Sequence, residues 1–364
     1  MTVRERLLTV LAAKQPDRVP VWPKMNPLEG LGRKRGAYLR LADYIGREAD
    51  LFLRWGFPTG FAYTAADVNY RSEELDPEQG LVRLSLQTPK GPLFQVEKAS
   101  AARIGTHPVK HWIEDAEDLD KFLSIPTEMC RPDVGEFFRK RDEVGERALM
   151  LVGVWDPVCA ATYFRAQVWP VMVLEEEKRV TVLMQVMFER IYGFLEHLLE
   201  SGVGPAFLMS GPELAIPPLL APRYFERLVA KYDKALIELV RRHGCQVMMH
   251  CHGKVSHLLE DFAGMGICCL DPLEPPPMGD LDMADAKRRV GRQMCLCGNI
   301  EFDRLERASE QEIRATVRGI IEAAGENGGL IVAPSASPYN PVLTPQAERN
   351  YIAMIEATRE YGEY

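Results

Sequence analysis

No apolar run in this 364-residue chain reaches the roughly 18 residues that a membrane-spanning helix needs. The most apolar stretch, 148–164, is cut by Asp156-Pro157. Basic charge is in deficit: 44 Lys and Arg stand against 52 Asp and Glu, a formal net charge of −8. A phosphate-backbone binder needs a basic face, so neither a nucleic-acid nor a membrane partner is expected. Cysteine is sparse, eight residues with one adjacent pair, Cys268-Cys269. That usage suits a reducing cytosol and not a disulfide scaffold. The first 18 residues lack a long apolar core and a small-residue cleavage site, so a cytoplasmic protein without a signal peptide is expected. Also absent are a GxGxxG or GxxxxGKS loop after any strand pattern, and any repeat of fixed period. Low-complexity composition is lacking as well, because 46% apolar and 26% charged residues are ordinary for a globular protein.

What is present is an alternation. Eight short apolar runs bounded by turn residues read as strands: 19–22, 60–63, 148–155, 206–210, 246–250, 267–270, 294–298 and 330–333. Most are nearly continuous apolar runs, as in parallel strands covered on both faces. Patterns of 3.6 period at 179–199, 222–242, 253–263, 281–290, 309–324 and 344–361 read as helices. Thr2/Glu5 and Ser309/Glu312 have capping-box spacing, Thr344-Pro345 reads as a cap before a first-turn proline, and Asp280 reads as an N-cap. Eight strands with helices between them predict an α/β fold, a (β/α)8 TIM barrel using residues 1–364 as one domain. The exception is an excursion over 64–147, between strands two and three. Its alternating runs 81–87 and 92–96 predict an inserted hairpin packed on the barrel with one or two helices.

Active sites of such barrels lie at the C-terminal strand ends. Polar residues collect at those ends here: Trp22-Pro23-Lys24, Trp155-Asp156, Ser210-Gly211-Pro212-Glu213, His250-Cys251-His252-Gly253, Asp271-Pro272-Leu273-Glu274, Cys297-Gly298-Asn299 and Pro334 to Tyr339. In extended backbone His250 and His252 share a face. They read either as two ligands of a zinc site, which needs a third, or as hydrogen-bond donors to an anionic substrate. Glu274, stiffened by the prolines that follow it, is the expected third ligand, so the predicted metal set is His250, His252 and Glu274. Glu213, Asp156 and Tyr339 are the expected catalytic groups. Trp22, Lys24, Tyr63, Trp155, Asn299, Ser335 and Ser337 are the expected substrate contacts. Cys295 and Cys297 read as small core residues.

Arg4-Glu5-Arg6 followed by Pro-Asp-Arg-Val-Pro-Val-Trp over 16–22, the segment GCQVMMHCHG over 244–253, Gly298-Asn299-Ile300 and the 341–350 helix start together resemble the uroporphyrinogen decarboxylase superfamily. The resemblance implies a (β/α)8 barrel with its site at the C-terminal face. The family's decarboxylases carry Arg-Gln-Ala-Gly-Arg where this chain has Pro23-Lys24-Met25-Asn26-Pro27. Its corrinoid-dependent methyltransferases hold zinc through His-x-Cys-Gly and a later Cys. Here His252 replaces the first Cys, and the later one falls near Ala336. A His, His, Glu set leaves more positive charge on zinc than thiolates do, which suits an oxygen-centred substrate.

The leading expectation is a zinc-assisted methyltransferase. It would move a methyl group between a small, methoxylated substrate and a corrinoid protein carrying cobalamin. The alternatives are a decarboxylase of a tetrapyrrole or other carboxylated substrate, with Lys24, Arg18 and Arg103 as carboxylate holders, and a non-catalytic tetrapyrrole or corrinoid binder. A homo-oligomer is compatible with all three.

Overall fold

A computed structural model describes residues 1–29, 36–57, 59, 63–64, 71–99, 106–338, 340 and 342–364. In chain order its strands are β1 (Phe52–Trp55), β2 (Arg71–Asp76), β3 (Leu81–Thr88), β4 (Gly91–Ala99), β5 (Thr106–Lys110), β6 (Leu149–Trp155), β7 (Ala206–Ser210), β8 (Gln246–His250), β9 (Cys269–Leu273), β10 (Cys295–Ile300) and β11 (Leu330–Pro334). The helices are α1 (Val3–Leu11), α2 (Ala37–Glu48), α3 (Ala116–Leu123), α4 (Gly135–Val144), α5 (Val168–Glu175), α6 (Glu177–Glu200), α7 (Lys231–Arg242), α8 (Leu259–Met265), α9 (Met283–Val290), α10 (Phe302–Arg307), α11 (Glu310–Ala324) and α12 (Pro345–Tyr361).

Seven strands form one parallel, curled sheet in the order β1-β6-β7-β8-β9-β10-β11, a TIM-barrel-like arrangement. Side chains alternate between its two faces, as the pleat requires. Phe52, Leu149, Leu151, Ala206, Met248, Cys269, Cys295, Cys297, Ile331 and Ala333 pack together on the inner face. Leu7, Val10 and Leu11 of α1 join this inner cluster. Val152, Val154, Phe207, Met209, Val247, Met249, Leu270, Leu296 and Val332 belong instead to the outer cluster with the helices.

The segment 19–22 completes the inner wall without forming a full strand. Trp22 N–H donates to the Val332 carbonyl at 2.8 Å, and Val332 N–H donates to the Pro20 carbonyl at 2.9 Å. On its other side, Asp50 N–H donates to the Val21 carbonyl at 2.9 Å. Pro20 and Pro23 have no N–H to give, which limits the ladder to these few bonds.

The strand expected at 60–63 lies almost wholly outside the described residues. The strand beside β6 is β1, which the alternation did not single out. It is four residues long and interrupted by Arg54, too short for a period to declare itself. The excursion between β1 and β6 contains a four-stranded antiparallel sheet, β2-β3-β4-β5, in which Leu81–Thr88 pairs with Gly91–Ala99. Leu86 and Leu93 from it, with Trp112, Leu119 and Phe122, enter the same apolar cluster that covers the outer face of the large sheet.

Both capping boxes form, at Thr2/Glu5 and Ser309/Glu312. Asp280 is not the cap of α9: Asp282 is, accepting from Asp285 N–H. Asp280 instead accepts from Ser256 N–H at 3.0 Å and Ser256 Oγ at 2.6 Å, which ties the loop after β9 to the loop after β8. Among the described residues no helix is long and apolar enough to cross a membrane.

Candidate functional site

The inner-face alternation predicts where polar groups gather. Two residues beyond the apolar layer, the inward positions of β7, β8 and β9 become Ser210, His250 and Asp271. Trp155 closes β6, and Lys24 stands two residues beyond the inward Trp22. The pleat therefore turns a dry barrel interior into a polar mouth at its C-terminal end.

Three of these groups form a chain. Lys24 Nζ lies 2.7 Å from Asp271 Oδ1. Asp271 Oδ2 accepts from His250 Nδ1 at 2.9 Å. Asp271 is almost wholly buried. Burial alone would raise its carboxyl, yet the Lys24 ammonium and the His250 ring hold it well below the usual carboxylate range. Because Asp271 is an ionised acceptor, the proton of His250 sits on Nδ1 and Nε2 is left open. Lys24 also donates to the Ser335 carbonyl at 3.3 Å.

The second histidine has its own carboxylate. His252 Nδ1 bonds Glu274 Oε1 at 3.1 Å, and Glu274 Oε2 accepts from Gly253 N–H at 2.8 Å. Burial opposes charging His252, but the Glu274 carboxylate outweighs it and raises the imidazole above its ordinary value. The rings of His250 and His252 stand edge to face, with centroids 4.7 Å apart. Glu274 is held by a tight loop in which Leu281 N–H donates to the Glu274 carbonyl at 3.1 Å. Gly279 comes so close that a Cβ there would lie 2.0 Å from that carbonyl oxygen. Gly279→Ala is therefore expected to displace the loop and cost about 1–3 kcal/mol, read as a lower urea midpoint.

His252, Glu274, Glu213 and Lys254 line a cleft of about 690 Å3 whose apolar walls are Pro217, Pro218, Leu219, Pro277 and Met278. A second hollow of about 340 Å3 is lined by Tyr63, Trp155, Leu208 and Ser210. There the Trp155 N–H donates to Tyr63 Oη at 3.0 Å.

The other expected site residues fall elsewhere. Trp22 was expected to line the cleft, but it is buried in the barrel interior, 4.8 Å from the ring of Phe52. Asp156 has the opposite parity from Trp155, so it turns to the outer face and is fully buried. Asn299 lines a separate hollow with Pro275 and Pro276. Ser335 Oγ accepts from Phe302 N–H at 3.0 Å, and Ser337 is half-buried. Tyr339 and Arg103 lie outside the described residues. Arg18 is bonded to Asp50 at 2.8 Å. Sequence reasoning passed over Asp271 as a site residue, although its spacing from the inward Cys269 was the available signal.

The implied metal fits this arrangement only in part. Two imidazoles with open Nε2 atoms, each backed by a carboxylate on Nδ1, are the usual setting of metal-ligating histidines. Glu274, however, already uses both oxygens. Among the described residues no three His, Cys, Asp or Glu side chains are placed to hold a metal ion together.

The family model described as "Uroporphyrinogen decarboxylase (URO-D)" matches residues 105–361. No curated protein matches by sequence. Among solved structures, a methyltransferase from Methanosarcina mazei superposes with a TM-score of 0.65 at 17% identity, over 99% of each chain. A Bacteroidetes-affiliated GH5 cellulase reaches a TM-score of 0.40 at 12% identity, over 69% of this chain and 78% of that one.

Proposed function

The chain belongs to the uroporphyrinogen decarboxylase family, and from that premise we propose that it is a methyltransferase acting on a small methoxylated substrate, with a corrinoid protein as methyl acceptor. The observation that carries this reading is the pair His250 and His252, each oriented by its own carboxylate beside an apolar-walled cleft. The fold likeness to a methyltransferase agrees with it. Of the cations that a decarboxylase would use to hold substrate carboxylates, Arg18 is bonded to Asp50 and Lys24 to Asp271, Arg103 lies outside the described residues, and Lys254 lines the cleft.

A reduced corrinoid on the partner would supply the nucleophile for the methyl carbon. The chain's own task is at the oxygen. As the C–O bond breaks, its electron pair passes to the substrate oxygen, which then needs a positive partner or a proton. Asp271 and Glu274 fix the two rings through Nδ1, so that a neutral ring would offer its Nε2 lone pair to an ion and a protonated ring its Nε2–H to that oxygen. Zinc, as the proposed ion, would polarise the oxygen. His250 and His252 would hold it through Nε2, and Glu274 would have to exchange its bond to His252 for one to the ion.

Metal analysis of the purified protein, before and after dialysis against zinc, tests the ion. One equivalent retained by the native chain and lost in His250→Ala is expected, and a chain that stays metal-free overturns the zinc assignment. Transfer is tested with cob(I)alamin and 2-methoxyphenol, followed by the absorbance of methylcobalamin. Release of carbon dioxide from a carboxylated porphyrinogen, without methyl transfer, would assign the decarboxylase reading instead.

A further inference from the structure

Behind the cleft, on the outer side of the sheet, lies an acid pair with no role in the chemistry above. Asp156 follows β6, and its Oδ1 accepts from Cys159 N–H at 2.9 Å, capping the turn Pro157–Tyr163. Asp233 sits in the first turn of α7, directly after the single π turn Glu226–Ala230, which packs against that capped turn. Both carboxyl groups are wholly buried, and each bears on the other. Gly211 closes the space over them: a Cβ there would lie 1.9 Å from Asp156 Oδ1.

As two bare carboxylates this arrangement is not tenable. Asp156 Oδ2 and both oxygens of Asp233 have no donor. The titratable groups that face the pair are Glu213 from the turn after β7, Cys159 from the turn after β6, and Cys251 after β8. No lysine, arginine or histidine stands among these groups. Two adjacent carboxylates in a dry interior do not both ionise. One proton turns an acceptor into a donor and makes the bond between them.

We propose that Asp156 and Asp233 share one proton and form a store that resupplies Glu213, the acid that protonates the substrate oxygen. Glu213 suits the relay because it lines the cleft while its buried Oε2, without a donor, acts on Asp156. The methyl carbon takes an electron pair from the partner's corrinoid nucleophile as the C–O pair goes to oxygen, Glu213 gives that oxygen its proton, the acid pair reprotonates Glu213, and solvent reprotonates the acid pair. The relay rests on the methyl-transfer reading, whereas the shared proton does not.

Infrared spectroscopy of the native chain separates the two. A carboxylic-acid C=O stretch that persists at pH 7 and is lost in both Asp233→Asn and Asp156→Asn is expected, and its absence from the native chain overturns the store whatever the activity. A raised carboxyl keeps its proton in the folded state and loses it in the unfolded state. Its stabilisation is therefore complete below about pH 4 and fades as pH rises through the folded value. The native urea midpoint should then fall from pH 5 to pH 8 by more than that of Asp233→Asn, and equal slopes count against the store. Glu213→Gln should keep the infrared band but slow methyl transfer about 100-fold. The loss should shrink for substrates with more acidic leaving alcohols, and an equal loss across leaving groups overturns the relay.

Discussion

Asp50→Ala is expected to lower the stability of the folded chain by about 3–5 kcal/mol, the usual cost of stranding a buried ion-pair partner. Asp50 has no solvent exposure. Its Oδ1 accepts from Arg6 at 2.8 Å and Arg18 at 3.1 Å, and its Oδ2 accepts from Arg18 at 2.8 Å and from Val21 N–H at 3.0 Å. One carboxylate thereby joins α1, the segment 19–22 and the entry to β1 at the seam of the sheet. Arg6 retains Asp17, which accepts from it at 2.6 and 2.7 Å, but Arg18 would be left with only the Val19 carbonyl at 3.2 Å. The urea midpoint should fall with an unchanged denaturant slope. A fall below 1 kcal/mol would mean that water replaces the carboxylate at the seam. Asp50→Asn should lie between the two, since it keeps the shape and one acceptor.

Lys24→Met is expected to cost a similar amount, about 3–5 kcal/mol, and to disable the site as well. The change keeps the length of the side chain and removes the ammonium that faces Asp271. Both partners are nearly buried, and what remains for the Asp271 carboxylate is His250. Asp271 would then take up a proton more readily, because the charge that holds its carboxyl low is gone. Once protonated it no longer requires the proton of His250 to stand on Nδ1, so the open Nε2 is lost as a defined feature. Nitrogen NMR of the His250 ring reads the tautomer, and urea unfolding reads the stability. The double variant Lys24→Met with Asp271→Asn should recover much of the stability without restoring the ring, as expected of residues that act through one contact. An unchanged His250 spectrum in Lys24→Met would show that Lys24 does not govern the tautomer.

Parts of this molecule were legible in the sequence because they depend on local order. The strand bodies of β6, β7, β8, β10 and β11 coincide closely with their apolar runs, and the caps at Thr2 and Ser309 follow from side chains three residues apart. The meeting of His252 with Glu274 was also within reach, since loops after consecutive parallel strands are neighbours. β9 shows where local order stops helping. Its apolar run ends at Leu270, but the strand continues through Asp271-Pro272-Leu273, and that extension turns Asp271 inward.

Lys24 and Asp271 meet because the segment 19–22, read as the first strand, lies beside β11 as closure of the barrel requires, but no period in the chain says which side chains meet across the barrel mouth. Asp156 and Asp233 show the same limit. The pleat assigns Asp156 to the outer face, but which residue of which helix covers it is decided by the packing of α7 on the turn after β6. A two-residue period states the face a side chain takes, and the closure of the sheet and the seating of its helices decide what that side chain meets.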